Sequence, residues 1–397
     1  MKQLLFLILS FVLIMFYSCK KEKELPTEEP PIVTVDPNIK DVIPVDLFVD
    51  SVSFIPLETT DSSLIAKIAK ILFFDDLMAI HDYKTSAILL FDTKGHYLRN
   101  IGRKGQGPGE YAFIAHLMSD LDKKQIIAYD SYQRKMIYYD LDGNFIKEIT
   151  GFSNNKVVRD VINMPDGSFI CYKGDCDREG AYSGVWRVDS TGLMGETLYS
   201  DPDIYPVVRS NYFHSYLYYL DDNSVGLATE YKDDIFHIDE NGKKIEKYMS
   251  FDIEGKTREK MTSPDPKEAD YTKKTMVYEK GNYILTEWFN AKKNYGVPAY
   301  SLYSKDGKQT VVGLIGYYKS ETLPTIYGDL INTNDLNDFV TIISPERILE
   351  DLNRDKVKEH TKEMLATLVA GKSEDEIIEM NPVIQILHLK KQVKLTD

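Results

Sequence analysis

The sequence predicts an all-β fold: a six-bladed β-propeller of four-stranded antiparallel blades, with a helical insertion in the last blade. Three observations carry this expectation. A strand–turn–strand unit recurs, and its turn glycines Gly95, Gly143, Gly192 and Gly242 stand 48, 49 and 50 residues apart. The 27 tyrosines far outnumber the 2 tryptophans, and aromatic and β-branched side chains favour strands. Lastly, the strand-like stretch SVSFIPLE at 51–58 has no hairpin mate nearby, as expected of a strand that closes a ring.

The chain opens on a targeting pattern. Lys2 precedes an apolar run at 4–17, followed by Ser18 and Cys19. The run is short for a membrane span and fits the core of a signal peptide, so residues 1–18 are read as removed. A small residue before cysteine makes Cys19 the expected lipidation site, and acyl chains there would hold the protein to a membrane. Residues 19–45 begin KKEKELPTEEPPIVTVDPN after Cys19 and are rich in charge and proline, so they are read as a flexible tether. The propeller is then assigned to residues 46–397.

Five hairpins follow: AILLFDTKGHYLRNI (87–101), KMIYYDLDGNFIKEI (135–149), GVWRVDSTGLMGETL (184–198), DIFHIDENGKKIEKY (234–248) and AYSLYSKDGKQTVVG (299–313). Each turn glycine, Gly307 in the fifth, is expected to supply a positive φ. Another short strand lies upstream of each hairpin: LMAIHD (77–82), QIIAYD (125–130), GSFICYK (167–173), SVGLATE (224–230) and NYILTEWF (282–289). The sixth unit runs through FVTII (339–343) and ends in PVIQILHL (382–389), with an insertion at about 344–380. Ser344-Pro345 reads as a helix start, and Ile348, Leu349, Leu352, Leu365 and Leu368 recur at helical spacing. Gly371 stops that helix, and Ser373 with Glu376 forms a capping box for the next. Residues 51–58 are expected to add the outer strand of the last blade, removing a free edge.

The stretch GRKGQGPGEY at 102–111 poses a choice between a phosphate cradle and a corner of the chain. Gly102 and Gly107 have P-loop spacing, but Pro108 and Gly109 follow where lysine and serine or threonine are needed. Position 110 is glutamate, so the dinucleotide pattern fails too. The glycines therefore read as a tight crossing between blades, with Arg103 and Lys104 solvated or lining a propeller face. The stretch NIGRKGQGPGEY resembles the inter-blade signature of NHL repeats. Together with FIPLET (54–59) and NPVIQILHLKK (381–391), it makes the chain similar to six-bladed β-propeller lipoproteins of Bacteroidota over about 50–391. The resemblance implies an exported propeller at an envelope membrane, as an outer-membrane lipoprotein facing the periplasm or the cell surface. It brings no catalytic residues.

A net charge of −14 argues against nucleic acid as a partner. The second strand of five units ends in or just before an acid: Asp82, Asp130, Asp175, Glu230 and Glu287. In superposable blades these carboxylates would form a ring able to hold Ca²⁺, or each would accept backbone N–H groups in its own turn. Arg103 and Arg209 join them as candidate binding residues at the channel mouth. No other cofactor is expected. Tyr205, Tyr212, Phe213, Tyr216, Tyr218 and Tyr219 crowd one segment and suit either strand packing or contact with a sugar or peptide. Cys171 and Cys176 are close enough in sequence for a disulfide, though geometry decides. The seven histidines show no metalloprotease pair, and no nucleophile elbow is present. The expected function is binding of a glycan, a peptide or an envelope protein, within a nutrient-uptake assembly. The alternative is a calcium-dependent, lactonase-like hydrolase.

Overall fold

The computed structural model describes residues 30–36, 41–173, 184–200, 215–229, 232–254, 272–290, 298–316, 320, 322–335, 337–391 and 395. Six small sheets stand in a ring. Blades 1 to 5 take their four sequential strands from 68–101, 114–149, 160–200, 217–253 and 273–316. The ring is held by six apolar seams, one between each pair of neighbouring blades. Leu72, Ala79 and Leu90 of blade 1, for example, meet Leu117, Ala128 and Ile137 of blade 2. The last seam packs Val340 and Ile384 of blade 6 on Met78 and Phe91 of blade 1.

Blade 6 is built from both ends of the chain. Val383–Leu389 pairs with Phe339–Ile343 on one side and with Val49–Pro56 on the other, so the strand without a hairpin mate closes the ring. Leu330 bridges Thr341 at the inner edge. The insertion forms α1 (Pro345–Leu352), α2 (Glu359–Leu368) and α3 (Glu374–Ile378). Ser344 caps α1 by accepting from the Arg347 N–H, and Ser373 and Glu376 complete the capping box of α3. Ile348, Leu365 and Ile377 pack on Tyr327, Ile343 and Val383, which docks the helices on blade 6.

Two expectations need correction. The flexible tether does not extend to residue 45: Ile32–Val35 pairs in parallel with the outer strand of blade 4, and Val42–Pro44 does the same on blade 5. Val33 and Val35 are buried among Phe251, Ile253 and Trp288, and that apolar content explains why the segment is held. The second correction concerns the fifth hairpin. In the first four, the pattern Asp-x-x-Gly lets the aspartate accept backbone N–H groups across the turn while glycine takes φ between +63° and +92°. The fifth begins with Ser304 instead, and there Lys308 takes the positive φ (48°), not Gly307.

Candidate functional site

The innermost strands of three blades carry a β-bulge at a similar height. The register slips between Ile68 and Lys70, between Ile114 and His116, and between Lys274 and Met276. A bulge leaves one residue unpaired and re-aims its neighbours. The unpaired residues here are Ala69, Ala115 and Thr275. The residues that follow, Lys70, His116 and Met276, all line one cavity of about 470 Å³ in the centre of the ring. Tyr83, Leu117, Tyr278 and Leu330 supply further wall.

One end of the cavity is blocked. Asn332 and Thr333 pair with Lys70 and Ile71 on the inner side of blade 1, so this segment runs inside the ring. The Asn334 amide fixes it, accepting from the Phe73 N–H and donating to the Phe73 carbonyl and to Ser119. Lys280 donates to the carbonyls of Thr333 and Asp335, and burial lowers its pKa to about 8. On the other side of this segment lies a small pocket of about 20 Å³, which Lys70, Asn332 and Thr333 also line. The cavity is therefore a cup.

Lys70 and His81 are direct partners across the first two strands of blade 1, which puts their side chains on one face. Both line the cup. Lys70 makes no side-chain hydrogen bond or ion pair among the described residues. Burial lowers its pKa, against the opposing pull of Asp160. His81 is 1% exposed, and its Nε2 has no hydrogen-bond partner among the described residues. Its ring bonds the backbone of Ile114, whose own N–H is taken by Ser86 Oγ at 2.8 Å. The Ile114 carbonyl is thus the acceptor and Nδ1 carries the proton, which leaves Nε2 as an acceptor. Burial, with the nearby His116 and Lys70, lowers the His81 pKa to about 4, so the ring is neutral at pH 7. His116 places Nδ1 3.3 Å from Asp160 and stacks on Tyr129, and burial lowers its pKa as well. Asp160 accepts the N–H groups of Tyr216 (2.6 Å) and Leu217 (3.0 Å), tying blade 3 to blade 4 beside the cup.

An aromatic shelf leads from the cup to solvent. Tyr83 meets His81 edge-on at 6.4 Å and Phe113 at 5.4 Å, and Phe113 stacks on Tyr132 at 5.1 Å. Tyr132 is 75% exposed.

The residues singled out from the sequence lie elsewhere. Asp82 and Asp130 occupy matched positions but turn away from the channel. Asp82 accepts from the N–H groups of Ala66, Lys67 and Lys84, and Asp130 from those of Ala112, Tyr132 and Gln133. Each carboxylate pins the segment entering its blade, as the turn reading expected. Glu287 accepts from Thr275 and Tyr300 within blade 5. Asp175, Glu230, Arg209 and Cys19 fall outside the described residues, and no three His, Cys, Asp or Glu side chains cluster among the described ones. Arg103 is an exposed residue paired with Glu110 at 2.7 Å.

The glycine-rich crossing holds carboxylates of its own chain. Glu110 accepts from the Gly107 N–H, and Glu148 accepts from Gly109 and from Lys135. Gly102 has φ +66°, and a Cβ there would lie 2.6 Å from the Tyr139 hydroxyl, so close approach accounts for that glycine. Cys171 is buried in the seam between blades 2 and 3, and its proposed partner Cys176 lies outside the described residues. Of the tyrosine-rich segment, Tyr216 packs on Tyr172 in the seam between blades 3 and 4. The same seam takes Tyr219, while Tyr218 packs between blades 4 and 5. Lys70 and His116, which line the cup, and Asp160 beside it stand outside the candidates read from the sequence. A signal was present: Ile-Ala-Lys at 68–70 returns as Ile-Ala-His at 114–116, one blade later.

A protein of Bacteroides fragilis described as exported shares the fold over 91% of this chain and 100% of its own, with a TM-score of 0.66 and 18% identity. A member of the DUF4221 family from Bacteroides vulgatus does so over 89% and 98%, with a TM-score of 0.53 and 10% identity. At these identities the likeness is one of fold. No curated protein matches the sequence. Residues 30–388 match the family described as Domain of unknown function (DUF4934), and the chain, a six-bladed propeller with a central cup, belongs to that family.

Proposed function

We propose that this protein is an exported propeller, anchored at an envelope membrane through Cys19, that acts by binding a ligand in the central cup. Its ligand is a glycan or a peptide end presented by the surroundings or by an envelope partner. The observation that carries the reading is the cup itself. It is a cavity of about 470 Å³, closed at one end, with a buried His81 Nε2 that no group among the described residues satisfies. Unpaired buried polar atoms are costly, and a ligand that pairs them recovers that cost. The export reading draws on the signal-like start of the chain and on the exported relative from Bacteroides fragilis.

A glycan and peptide array, probed with the wild type and with Ala115→Trp, tests the binding site. Ala115 lines the cup, and an indole there fills it. Hits lost in the variant place the ligand in the cup; hits that survive unchanged overturn the reading. Cell fractionation tests the anchor, with Cys19→Ala expected to release the protein from the membrane fraction.

A further inference from the structure

Resting on the reading of the cup as the ligand site, we infer that its ligand is a sugar acid. The carboxylate sits on the Lys70 ammonium, a neighbouring hydroxyl donates to His81 Nε2, and the rest of the saccharide lies along Tyr83, Phe113 and Tyr132.

The charge comes first. Lys70 is held inside the ring without a hydrogen bond or ion pair among the described residues, and its pKa is lowered by burial. Asp160 is the counter-charge acting on it, but that carboxylate is held by the N–H groups of Tyr216 and Leu217 and by His116. An ammonium in such a place calls for an anion. Among the described residues the cup offers one cation of this kind. Lys67, which also lines the cup, is engaged in an interaction within the protein, and Asp329 on the exposed rim adds negative charge. A single positive charge suits a carboxylate; a phosphate near two negative charges needs more.

The second group selects what stands beside the carboxylate. Since Nδ1 of His81 donates to Ile114, the neutral ring presents a lone pair at Nε2. Lys70 is its cross-strand partner, so a ligand that meets both carries an anionic oxygen next to a hydroxyl donor. That is the chemistry of a hydroxy acid.

The third group supplies the size. Tyr83 forms part of the cup wall, and ring contacts continue edge-on to Phe113 and then by stacking to the exposed Tyr132. A flat aromatic face with a hydroxyl at its edge suits the C–H face of a pyranose. A ligand reaching from Lys70 to Tyr132 extends over more than one ring, which selects a sugar acid at the end of a short saccharide over a small hydroxy acid such as lactate.

Isothermal titration of the full chain in detergent micelles tests this with five probes: glucuronate, a disaccharide ending in glucuronate, glucose, lactate and inorganic phosphate. The expected result is saturable binding of both glucuronate compounds, the disaccharide tighter, with glucose silent and phosphate unable to displace them. Lys70→Met is expected to weaken glucuronate binding about 10-fold or more, the range of a lost charge-assisted hydrogen bond. Its melting temperature should not fall, because the charge removed makes no hydrogen bond or ion pair among the described residues and is held inside the ring. Tyr132→Ala is expected to weaken the disaccharide and leave glucuronate unchanged. Equal binding of glucose and glucuronate, displacement by phosphate, or lactate binding as tightly as the disaccharide overturns the inference. So does silence of both glucuronate compounds. None of these outcomes touches the broader reading of the cup, which stands or falls on whether Ala115→Trp removes the array hits.

Discussion

Acid should destabilise the protein in part through the His81 imidazole, and His81→Gln should remove that part. Burial beside His116 and Lys70 lowers the His81 pKa from 6.5 to about 4, with Asp82 pulling the other way. The unfolded chain therefore takes up this proton first. The native state loses nothing above pH 6.5, loses stability as the pH falls below that, and reaches its full loss below about pH 4. At about 1.4 kcal/mol per pKa unit the limit is ~3 kcal/mol. Integrated between pH 7 and pH 5, the linkage gives a loss of ~2 kcal/mol. Glutamine cannot titrate and still offers an amide N–H to the Ile114 carbonyl. Urea unfolding of both proteins at pH 7 and pH 5 isolates the effect, since Asp82, Lys70 and His116 are present in each. The wild type should lose ~2 kcal/mol more than His81→Gln across this interval. A difference that stays flat within ~0.5 kcal/mol would mean that His81 is not held neutral by its surroundings, and the account of the cup would lose its acceptor.

Three further outcomes are expected. Gly95→Ala places a Cβ 2.0 Å from the Pro56 carbonyl of the closing strand at φ +91°, whereas Gly143→Ala, at φ +87°, meets nothing nearer than 3.4 Å. The first should cost ~3 kcal/mol or more and the second ~1 kcal/mol, read from urea midpoints; equal costs would remove the tight contact between blades 1 and 6. A chain starting at residue 37 should melt several degrees below one starting at residue 30, because Val33 and Val35 each contribute roughly 1.5–3 kcal/mol where they are buried. Identical melting would return residues 30–36 to the tether. Asp130→Ala should lower the melting temperature by leaving the Ala112, Tyr132 and Gln133 N–H groups without their acceptor, and added calcium should change neither protein. A calcium-dependent rise in the wild type alone would return Asp130 to a metal site.

The ring was legible because its cause is periodic. Each hairpin repeats Asp-x-x-Gly for one local reason, the aspartate holding N–H groups while glycine takes the positive φ, and such a reason writes itself into every copy. Where the pattern broke, at Ser304, the expectation about Gly307 broke with it. The closing strand was legible for a different reason: an apolar run with no local mate must find a distant one. The N-terminal strands were hidden by composition. Ile32–Val35 sits among prolines and acids that read as solvated, yet what places it is the apolar edge of blade 4, a surface that exists only after folding.

The cup was hidden by geometry of another kind. Acids recur at the ends of the second strands, but recurrence there marks structural work: Asp82 and Asp130 are alike because both pin the entry to a blade. A site for one ligand needs unlike groups facing one another. The bulges provide that, since the same slip in register after Ile-Ala turns a lysine inward in blade 1 and a histidine inward in blade 2. The informative feature is thus a conserved backbone step within the repeat whose next residue changes from copy to copy. Lys70 and His116 follow the same two residues one blade apart, and the side chain that varies between them brings a different polar group to the cavity.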